Sequence, residues 1–251
     1  MCGRYTLKVS PENVAEELAF LDRPADIEAE LLAFGDAAAV KSFLRPRYNI
    51  APTQPVPIVR EKKGAVTLRM HSWGLVPFWA KPKDLKTRGS RINARVETVD
   101  RKPAFRQAFK KRRCLVIADG WIEWRREGKA RLPFHHSLPD GPRVTFAGLW
   151  ARWNPPESPG EAPAKPVYSC CILTREAEGP PALVHDRMPV IVPPVARRAW
   201  IDGTRDVTQD DPRVAVMGAP LPEVVVRPVS PAINKWQNDD ASVLEPGDHT
   251  L

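Results

Sequence analysis

With 251 residues, of which 43% are hydrophobic and 27% are charged, the chain can bury a substantial core, and this excludes a protein that is disordered throughout. The mean hydropathy of -0.36 and the lack of any run of about 18 apolar residues exclude a membrane-spanning helix. The opening residues MCGRY lack the apolar core of a secretory signal, so we expect a cytoplasmic protein. The net charge of +8 favours a polyanionic partner.

Two short helices are predicted near the N-terminus. Ser10 is a favoured N-cap residue, and Pro11 suits the first position of a helix. Apolar residues then recur at helical spacing, with Val14, Leu18 and Leu21 in the first helix and Ile27, Leu31 and Phe34 in the second. Further short helices are expected near residues 103–111 and 194–200.

Short strands are predicted for most of the remaining chain. Alternating or continuous apolar residues indicate strands over residues 56–60, 65–72, 114–118, 144–150 and 167–174. The 28 prolines are about twice the usual fraction and are spread along the chain, which disfavours a helical bundle. We therefore predict an α+β fold rich in strands.

A hairpin is predicted between two of these strands. After a turn at Asp119 and Gly120, residues 121–126 should pair with residues 129–136 across Glu127 and Gly128. Side chains alternate along a strand, so one face should carry Trp121, Glu123 and Arg125, and the other Ile122 and Trp124.

The chain shows no internal repeat, and strand patterns lie on both sides of every plausible boundary. We expect a single compact domain over residues 1–251, with a proline-rich loop insertion around residues 154–166 to which no function is assigned. The four cysteines, Cys2, Cys114, Cys170 and Cys171, form no C-x-x-C pair and no disulfide framework. No metal and no organic cofactor are expected, because neither a ligand cluster nor a phosphate-binding glycine loop is present.

The positive charge is concentrated in one segment. Residues 81–113 contain thirteen basic residues and three acidic ones, so the rest of the chain is slightly acidic. Such a block is typical of a protein that binds nucleic acid, although a solvated basic face would have the same composition.

Cys2 combines two reactive groups if Met1 is removed. The residue would then carry a thiol and an α-amine on adjacent carbons, and an amine can attack an aldehyde to form a Schiff base. The neighbouring thiol can close on the imine carbon and form a five-membered thiazolidine. The alternative is that position 2 is a cysteine without such a function.

Two further residues could move protons. His185 precedes an apolar strand and has an ordinary pKa near neutrality, but a single histidine can also be structural. Glu123 lies between Trp121 and Trp124, where partial desolvation would favour its protonated form. Its alternative role is an ion pair with a nearby arginine.

Residues that could bind nucleic acid lie in and beside the basic block. If residues 93–98 are extended, Asn93 and Arg95 share one face and offer an amide and a phosphate-binding guanidinium. Trp73, Phe78 and Trp79 place aromatic rings beside this charge, a combination used to stack unpaired bases, although tryptophans can equally be core residues.

Several of these segments, in this order, resemble the SOS-response-associated peptidase (SRAP) family, whose members crosslink covalently to abasic sites in single-stranded DNA. The matching segments are residues 1–5, 47–52, 73–77 with Trp79, 92–98, 118–124, 185–189, and 228–230 with Asn234. The resemblance spans nearly the whole chain.

The resemblance implies a role for each matching residue. The nucleophile falls on Cys2 after Met1 is removed by the protein itself or by an aminopeptidase, so the chain would also be an autopeptidase. Asn93 would bond near the linkage, Glu123 would handle protons at the Cys2 amine, and His185 would assist opening of the sugar ring. The DNA-binding positions would be Arg4, Asn49, Pro52, Trp73, Phe78, Trp79, Arg95 and Thr174.

The family resemblance also implies a barrel-like arrangement of mixed sheets, peripheral helices and a positively charged groove. One departure is that some members have two adjacent tryptophans where this chain has Phe78 and Trp79.

We therefore expect a monomeric sensor of abasic sites that shields the lesion, located in the cytoplasm and at the nucleoid when bound to DNA. The alternatives are a thiol peptidase that uses Cys2 with His185 on other proteins, and a module that binds single-stranded DNA without a covalent bond.

Overall fold

The computed structural model describes residues 2–8, 45–62, 64–141, 143–156 and 164–251. The two helices predicted within residues 10–34 lie outside these ranges, as does the middle of the proline-rich stretch. The described residues form an α+β structure with two β-sheets, two short α-helices and several short 3-10 helices, which confirms the predicted fold class.

The described strands account for most of the regular structure, and most of the predicted strands are confirmed within one to three residues at each end. They are β1 (Arg4–Leu7), β2 (Arg47–Ile50), β3 (Pro55–Lys62), β4 (Ala65–Trp73), β5 (Asn93–Arg95), β6 (Arg113–Ala118), β7 (Gly120–Glu127), β8 (Ala130–Ser137), β9 (Val144–Trp153), β10 (Val167–Glu176), β11 (Arg187–Pro189) and β12 (Val225–Pro228).

One sheet is antiparallel, with five strands in the order β12-β8-β7-β1-β2. The β7–β8 hairpin turns at Gly128 and Lys129, one residue later than predicted, because Glu127 still pairs with Ala130. Gly128 has a φ of 57°, a conformation that glycine adopts without steric cost and that two-residue hairpin turns require.

The other sheet is mixed and closes on itself. The pairs β10–β4, β4–β3, β3–β6, β6–β9 and β9–β10 return to the starting strand, so five strands form a barrel. β10 extends beyond the barrel, where it pairs with β5 on one side and with β11 on the other. This arrangement confirms the barrel-like mixed sheet implied by the family resemblance.

The predicted turn at Asp119 and Gly120 is a crossing between the two sheets, not a hairpin turn. β6 ends in the barrel at Ala118, and β7 begins in the antiparallel sheet at Gly120. The main-chain N–H of Asp119 donates to the carbonyl of Thr6 at 2.8 Å, which anchors the crossing to β1.

The two α-helices are shorter than predicted and pack on the barrel. α1 (Arg106–Lys111) begins three residues after Pro103, and α2 (Arg197–Ile201) follows directly on the 3-10 helix Pro194–Ala196. Trp200 connects α2 with β6 through a hydrogen bond of 2.8 Å from its Nε1 to the main-chain oxygen of Cys114. None of the helices in the described ranges is long and apolar enough to cross a membrane.

One large cluster of buried side chains joins the two sheets. Tyr5 of the antiparallel sheet contacts Trp73 and Phe146 of the barrel, with ring centroids 5.4 and 6.4 Å apart. Ile122 and Trp124 instead belong to a small separate cluster on the other face of β7, as the alternation of side chains predicted.

Candidate functional site

Cys2 lies at the junction of the two sheets. The residue lies two positions before the start of β1 and is fully buried. Its main-chain oxygen accepts a hydrogen bond of 2.8 Å from Nδ2 of Asn93, the first residue of β5. Of residues 93–98, which were considered as an extended segment, only residues 93–95 form a strand, and residues 96–98 are in a turn. The hydrogen bond from Asn93 fixes the start of the chain against a strand of the other sheet.

The Cys2 side chain is a protonated thiol at neutral pH. Burial, and secondly the charge of Glu123, raise the pKa of this thiol well above its ordinary value. Its Sγ lies 3.8 Å from the main-chain oxygen of Arg4, a distance that suits a thiol donor. Because the thiolate is the reactive form of cysteine, this thiol is a weak nucleophile before another group activates it.

Glu123 is a buried carboxyl beside Cys2. Arg4 of β1 lies opposite Ile122 of β7, so the same antiparallel register brings Glu123 next to Gly3. Only 2% of Glu123 is exposed, and burial raises its pKa to about 7. A carboxyl with this pKa can accept and donate protons near neutral pH, which is the property a general acid–base needs.

His185 lies between the 3-10 helix Pro180–Leu183 and β11. Its Nδ1 is 3.0 Å from the main-chain nitrogen of Arg187 and 2.7 Å from the Asp186 carboxylate. Without a proton, Nδ1 of His185 can accept the main-chain N–H of Arg187. With a proton, Nδ1 can donate to the Asp186 carboxylate, so the protonation of Nδ1 determines which of the two hydrogen bonds forms. Burial lowers the pKa of His185. The charge of Asp186 also raises the pKa of Glu123, so the segment of His185 and Asp186 lies close enough to Glu123 for their charges to interact.

Thr174 connects the segments around the site. It is fully buried in β10, where it pairs with Arg95 of β5 and Pro189 of β11. Its main-chain oxygen accepts hydrogen bonds from Val96 at 3.0 Å and from Arg187 at 2.7 Å. Thr174 therefore lies between two strands of the site: β5, which begins at Asn93, and β11, which follows His185.

Arg4 and Asn49, both predicted to bind DNA, form one unit. Nη1 of Arg4 donates to Oδ1 of Asn49 at 2.7 Å and to the main-chain oxygen of Ile233 at 3.1 Å. Asn49 is fully buried, and its Nδ2 lies within 3.0 Å of the carbonyls of Ile233, Lys235 and Asn238. In this arrangement Asn49 supports Arg4 and holds the chain after β12, and Arg4 is partly exposed.

The aromatic residues predicted to stack on bases divide into two groups. Trp73 is fully buried, and its Nε1 donates to the main-chain oxygen of Ile92 at 3.0 Å, so it is a core residue. Phe78 and Trp79 have 60% and 52% of their surface exposed, which is unusual for large apolar side chains. Pro52 is half-buried.

The basic block is mostly on the surface, where Arg95 and eight other basic residues are exposed. Arg113 is different, because it is buried and donates to the main-chain oxygens of Phe109, Lys110 and Trp200 at the ends of the two α-helices. Cations commonly satisfy such helix ends. In the described part of the chain, no three His, Cys, Asp or Glu side chains come together as a metal site.

Two tryptophans, Trp124 and Trp236, were not predicted as site residues. The guanidinium carbon of Arg4 lies 5.8 Å from the centre of the Trp124 ring, and Trp124 donates from Nε1 to Asn234 at 2.7 Å. Trp236 follows in the same segment and is 51% exposed. Neither tryptophan lies in the basic block. The only sequence feature that could have indicated them is an adjacent basic residue, Arg125 after Trp124 and Lys235 before Trp236.

Comparison with known proteins gives one family over almost the whole chain. The family model described as SOS response associated peptidase (SRAP) matches residues 1–236.

Curated relatives match nearly the whole chain. The abasic site processing protein YoaM of Bacillus subtilis is 30% identical over 250 residues, which cover 99% of this chain and 100% of that protein. The abasic site processing protein YedK of Escherichia coli is 28% identical over 98% of this chain and 100% of its own length. The abasic site processing protein HMCES of Xenopus tropicalis is 27% identical over 95% of this chain and 76% of its own length.

Solved structures share the fold. A crystal structure of a Bacteroides thetaiotaomicron protein has a TM-score of 0.76 and covers 98% of this chain and 100% of its own, at 21% identity. A phage-related protein from Bordetella bronchiseptica has a TM-score of 0.62 at 29% identity, and covers 91% of this chain and 94% of its own.

Proposed function

Because the chain belongs to the SOS response associated peptidase (SRAP) family, we propose that it processes abasic sites and bonds covalently to them in single-stranded DNA through Cys2. Its relatives YoaM, YedK and HMCES are named abasic site processing proteins. The observation that carries the proposal is the geometry of Cys2, whose main chain is held by Asn93 beside the buried carboxyl of Glu123. After removal of Met1, the free amine and the thiol of Cys2 would both lie near Glu123, a group that can transfer protons.

The reaction forms two bonds and releases one water molecule. Removal of Met1 exposes the Cys2 amine, which attacks the C1' aldehyde of the open-ring abasic sugar. The carbinolamine loses water to give an imine. The Cys2 thiol then adds to the imine carbon, and its proton passes to the former imine nitrogen, which yields a thiazolidine ring. No oxidant, reductant or metal takes part in this sequence.

The protonation states of the site favour attack by the amine before the thiol. Burial keeps the Cys2 thiol protonated, whereas Glu123, with a pKa of about 7, can take a proton from the attacking amine and return it to the departing water. The thiol reacts in the second step, when the imine is a strong electrophile. His185 assists the opening of the sugar ring, for which a neutral imidazole with two possible partners at Nδ1 is suited.

The exposed basic and aromatic residues supply the path for the DNA strand. Arg4 and Arg95 bind phosphates, and Phe78 and Trp79 stack on unpaired bases next to the lesion. Phosphate contacts dominate affinity for DNA and weaken as salt increases, so binding before the covalent step should depend strongly on ionic strength. The protein acts as a monomer in the cytoplasm, at the nucleoid when bound.

The thiol peptidase alternative has less support. Peptidases of this kind use a thiolate, and the surroundings of Cys2 raise the pKa of its thiol instead of lowering it. Removal of Met1 by the protein itself is compatible with the site, because Glu123 can supply a proton to the departing amine of Cys2.

A denaturing gel tests the proposal. The protein is incubated with a single-stranded oligonucleotide carrying one abasic site, and its intact mass shows whether Met1 is absent. We expect a shifted band that requires both the lesion and Cys2.

Variants at Cys2 separate the two bonds. Cys2→Ser keeps the amine and loses the thiol, so a stable band should disappear, whereas borohydride should still trap the imine. An extension ahead of Cys2 blocks the amine and should abolish both products. A stable crosslink in the extended protein would contradict the thiazolidine mechanism, and binding without any crosslink in the unmodified protein would favour the non-covalent module.

A further inference from the structure

A second cluster of charged and aromatic side chains lies inside one end of the barrel. The guanidinium carbon of Arg60 in β3 is 4.0 Å from the ring centre of Trp150 in β9 and 5.5 Å from that of Tyr168 in β10. His71 of β4 contacts the same two rings edge-on, with centroids 6.0 and 5.5 Å apart. Side chains from four of the five barrel strands therefore meet, and the strand register places all of them on the same, inner face of the sheet. We call this end the barrel mouth.

The barrel mouth is separate from the Cys2 site. Tyr168 precedes Thr174 by six positions in β10, a separation of about 20 Å along an extended strand. Nothing in the proposed crosslinking reaction uses the residues of this end.

The arginines at the barrel mouth form no ion pair with a carboxylate of the described residues. Only 5% of Arg60 is exposed, and its Nε and Nη1 have no hydrogen-bond partner among the described residues. Two more arginines, Arg112 and Arg152, lie 5.6 Å from the Trp150 ring centre and 6.0 Å from that of Tyr168 respectively. None of the three forms an ion pair within the described ranges.

A buried cation of this kind is costly without an anion. Burial, and secondly the charge of Arg69, lower the pKa of Arg60 to about 10, which leaves the group charged at neutral pH. Burial lowers the pKa of His71 far below its ordinary value, so that ring stays neutral and adds no charge.

A cavity of about 530 Å³ is lined by Arg112 and Arg152, and this size suits a small ligand. Its lining includes Trp150, and the charged lining residues are Glu61, Lys111, Arg112 and Arg152. Lys111 is paired with Asp206 at 3.1 Å. The charged lining residues thus carry a net positive charge even with Glu61 ionised.

We propose that the barrel mouth is a second binding site, which takes a phosphate group carried by a free nucleotide or by the backbone of a DNA strand. Guanidinium groups held against aromatic rings keep their N–H edges in fixed positions, and two such edges match the oxygens of a phosphate. The phosphate binds to Arg112 and Arg152 at the opening and compensates the charge of Arg60 behind Trp150.

Calorimetric titration of the full chain tests the site directly. Inorganic phosphate, deoxyadenosine 5'-monophosphate and an undamaged single-stranded oligonucleotide are the three probes. We expect the double variant Arg112→Gln/Arg152→Gln to bind phosphate or the nucleotide at least tenfold more weakly than the unmodified protein.

A control must remove the same charge elsewhere. Arg131 of β8 and Arg227 of β12 are exposed on the antiparallel sheet, so Arg131→Gln/Arg227→Gln lowers the net charge equally without touching the barrel mouth. If only the small probes lose affinity in the barrel-mouth variant, the source is a free nucleotide. If the oligonucleotide loses more affinity than in the control, the source is DNA.

Equal affinity of the barrel-mouth variant and the unmodified protein for all three probes, or equal losses in the two double variants, would overturn the proposal. Arg60→Gln gives a second test of the buried cation, and thermal unfolding of each variant shows whether it is folded. None of these measurements involves an abasic site or Cys2, so failure here is distinct from failure of the proposed function.

Discussion

At the scale of single residues, burial determines the protonation states of the Cys2 thiol and the Glu123 carboxyl. Glu123 and the Cys2 thiol are both almost inaccessible, and burial raises the pKa of both groups. For the thiol the result is a protonated, weakly nucleophilic group. For the carboxyl the result is a pKa of about 7, at which both protonation states are populated under working conditions.

The raised pKa of Glu123 predicts a pH-dependent loss of stability. Its pKa of about 7 in the folded protein exceeds the ordinary value of 4.5, so the folded state binds this proton more tightly than the unfolded chain. The free energy of unfolding should therefore fall as the pH rises from about 4.5 to about 7, by up to about 3 kcal/mol. Glu123→Gln cannot ionise, and it should become progressively more stable than the unmodified protein over this range.

Urea unfolding at several pH values between 5 and 8 measures this difference. Glu127→Gln is the control, since Glu127 is exposed at the end of the same strand. The crosslinking rate should lose its inflection near pH 7 in Glu123→Gln. A stability difference that stays constant with pH would show that Glu123 has an ordinary pKa.

Asn49 and Asn93 show what a motif leaves undecided at this scale. Both belong to segments that resemble the family, and both were predicted as site residues from sequence. In the structure, Asn93 donates a hydrogen bond to the main-chain oxygen of Cys2. Asn49 is instead buried, and its side-chain amide donates to main-chain carbonyls. The difference comes from long-range packing, because each asparagine bonds residues that are far away in the sequence.

At the scale of elements, the crossing between the sheets is under steric constraint. Gly120 begins β7 where the chain leaves the barrel, and a Cβ atom there would lie 2.3 Å from the main-chain oxygen of His136 and 2.6 Å from Nε2 of His135. Only a residue without a side chain allows β7 and β8 to pair this closely next to Thr6.

Gly120→Ala should therefore destabilise the protein by about 3 kcal/mol, because neither the carbonyl of His136 nor the partly buried ring of His135 can move away easily. Gly128→Ala is the matched control in the same pair of strands. A Cβ at Gly128 meets nothing within 4 Å, so this variant should lose about 1 kcal/mol through its left-handed backbone alone. Equal losses in the two variants, measured by urea unfolding, would contradict the steric explanation.

Strand positions were predictable from the sequence, but their partners were not. The alternation of apolar residues located β3, β4, β6 and the β7–β8 hairpin, because side-chain period is a local property. The short helices were predicted too long at their N-terminal ends. Pairing of β10 with four different strands depends on contacts between distant segments, and no local pattern contains that information.

At the scale of the whole molecule, we propose that both sheets form one cooperative unit. The large buried cluster contains residues from the barrel and from the antiparallel sheet, with Tyr5 packed between Trp73 and Phe146. Separation of the sheets would expose these rings. The expected single domain over residues 1–251 thus has a physical basis in the part of the chain that the structure describes.

Differential scanning calorimetry should then give one transition, with a calorimetric enthalpy equal to the van't Hoff enthalpy. Tryptophan fluorescence and far-ultraviolet circular dichroism should report the same midpoint. Two separate transitions, or probes with different midpoints, would show that the sheets unfold as independent units.

The sequence by itself determined the strand-rich α+β class, the concentration of basic charge and the candidate site residues Cys2, Asn93 and Glu123. Composition, period and motif order are local or additive properties, and they can be read without knowing which segments meet. The tertiary structure alone decided that Asn93 holds Cys2, that burial brings the pKa of Glu123 to about 7, and that Trp73 belongs to the core. It also placed Arg60 against Trp150, in a barrel mouth that no motif indicated. Desolvation and contact depend on residues distant in sequence, so they arise only when the sheets close.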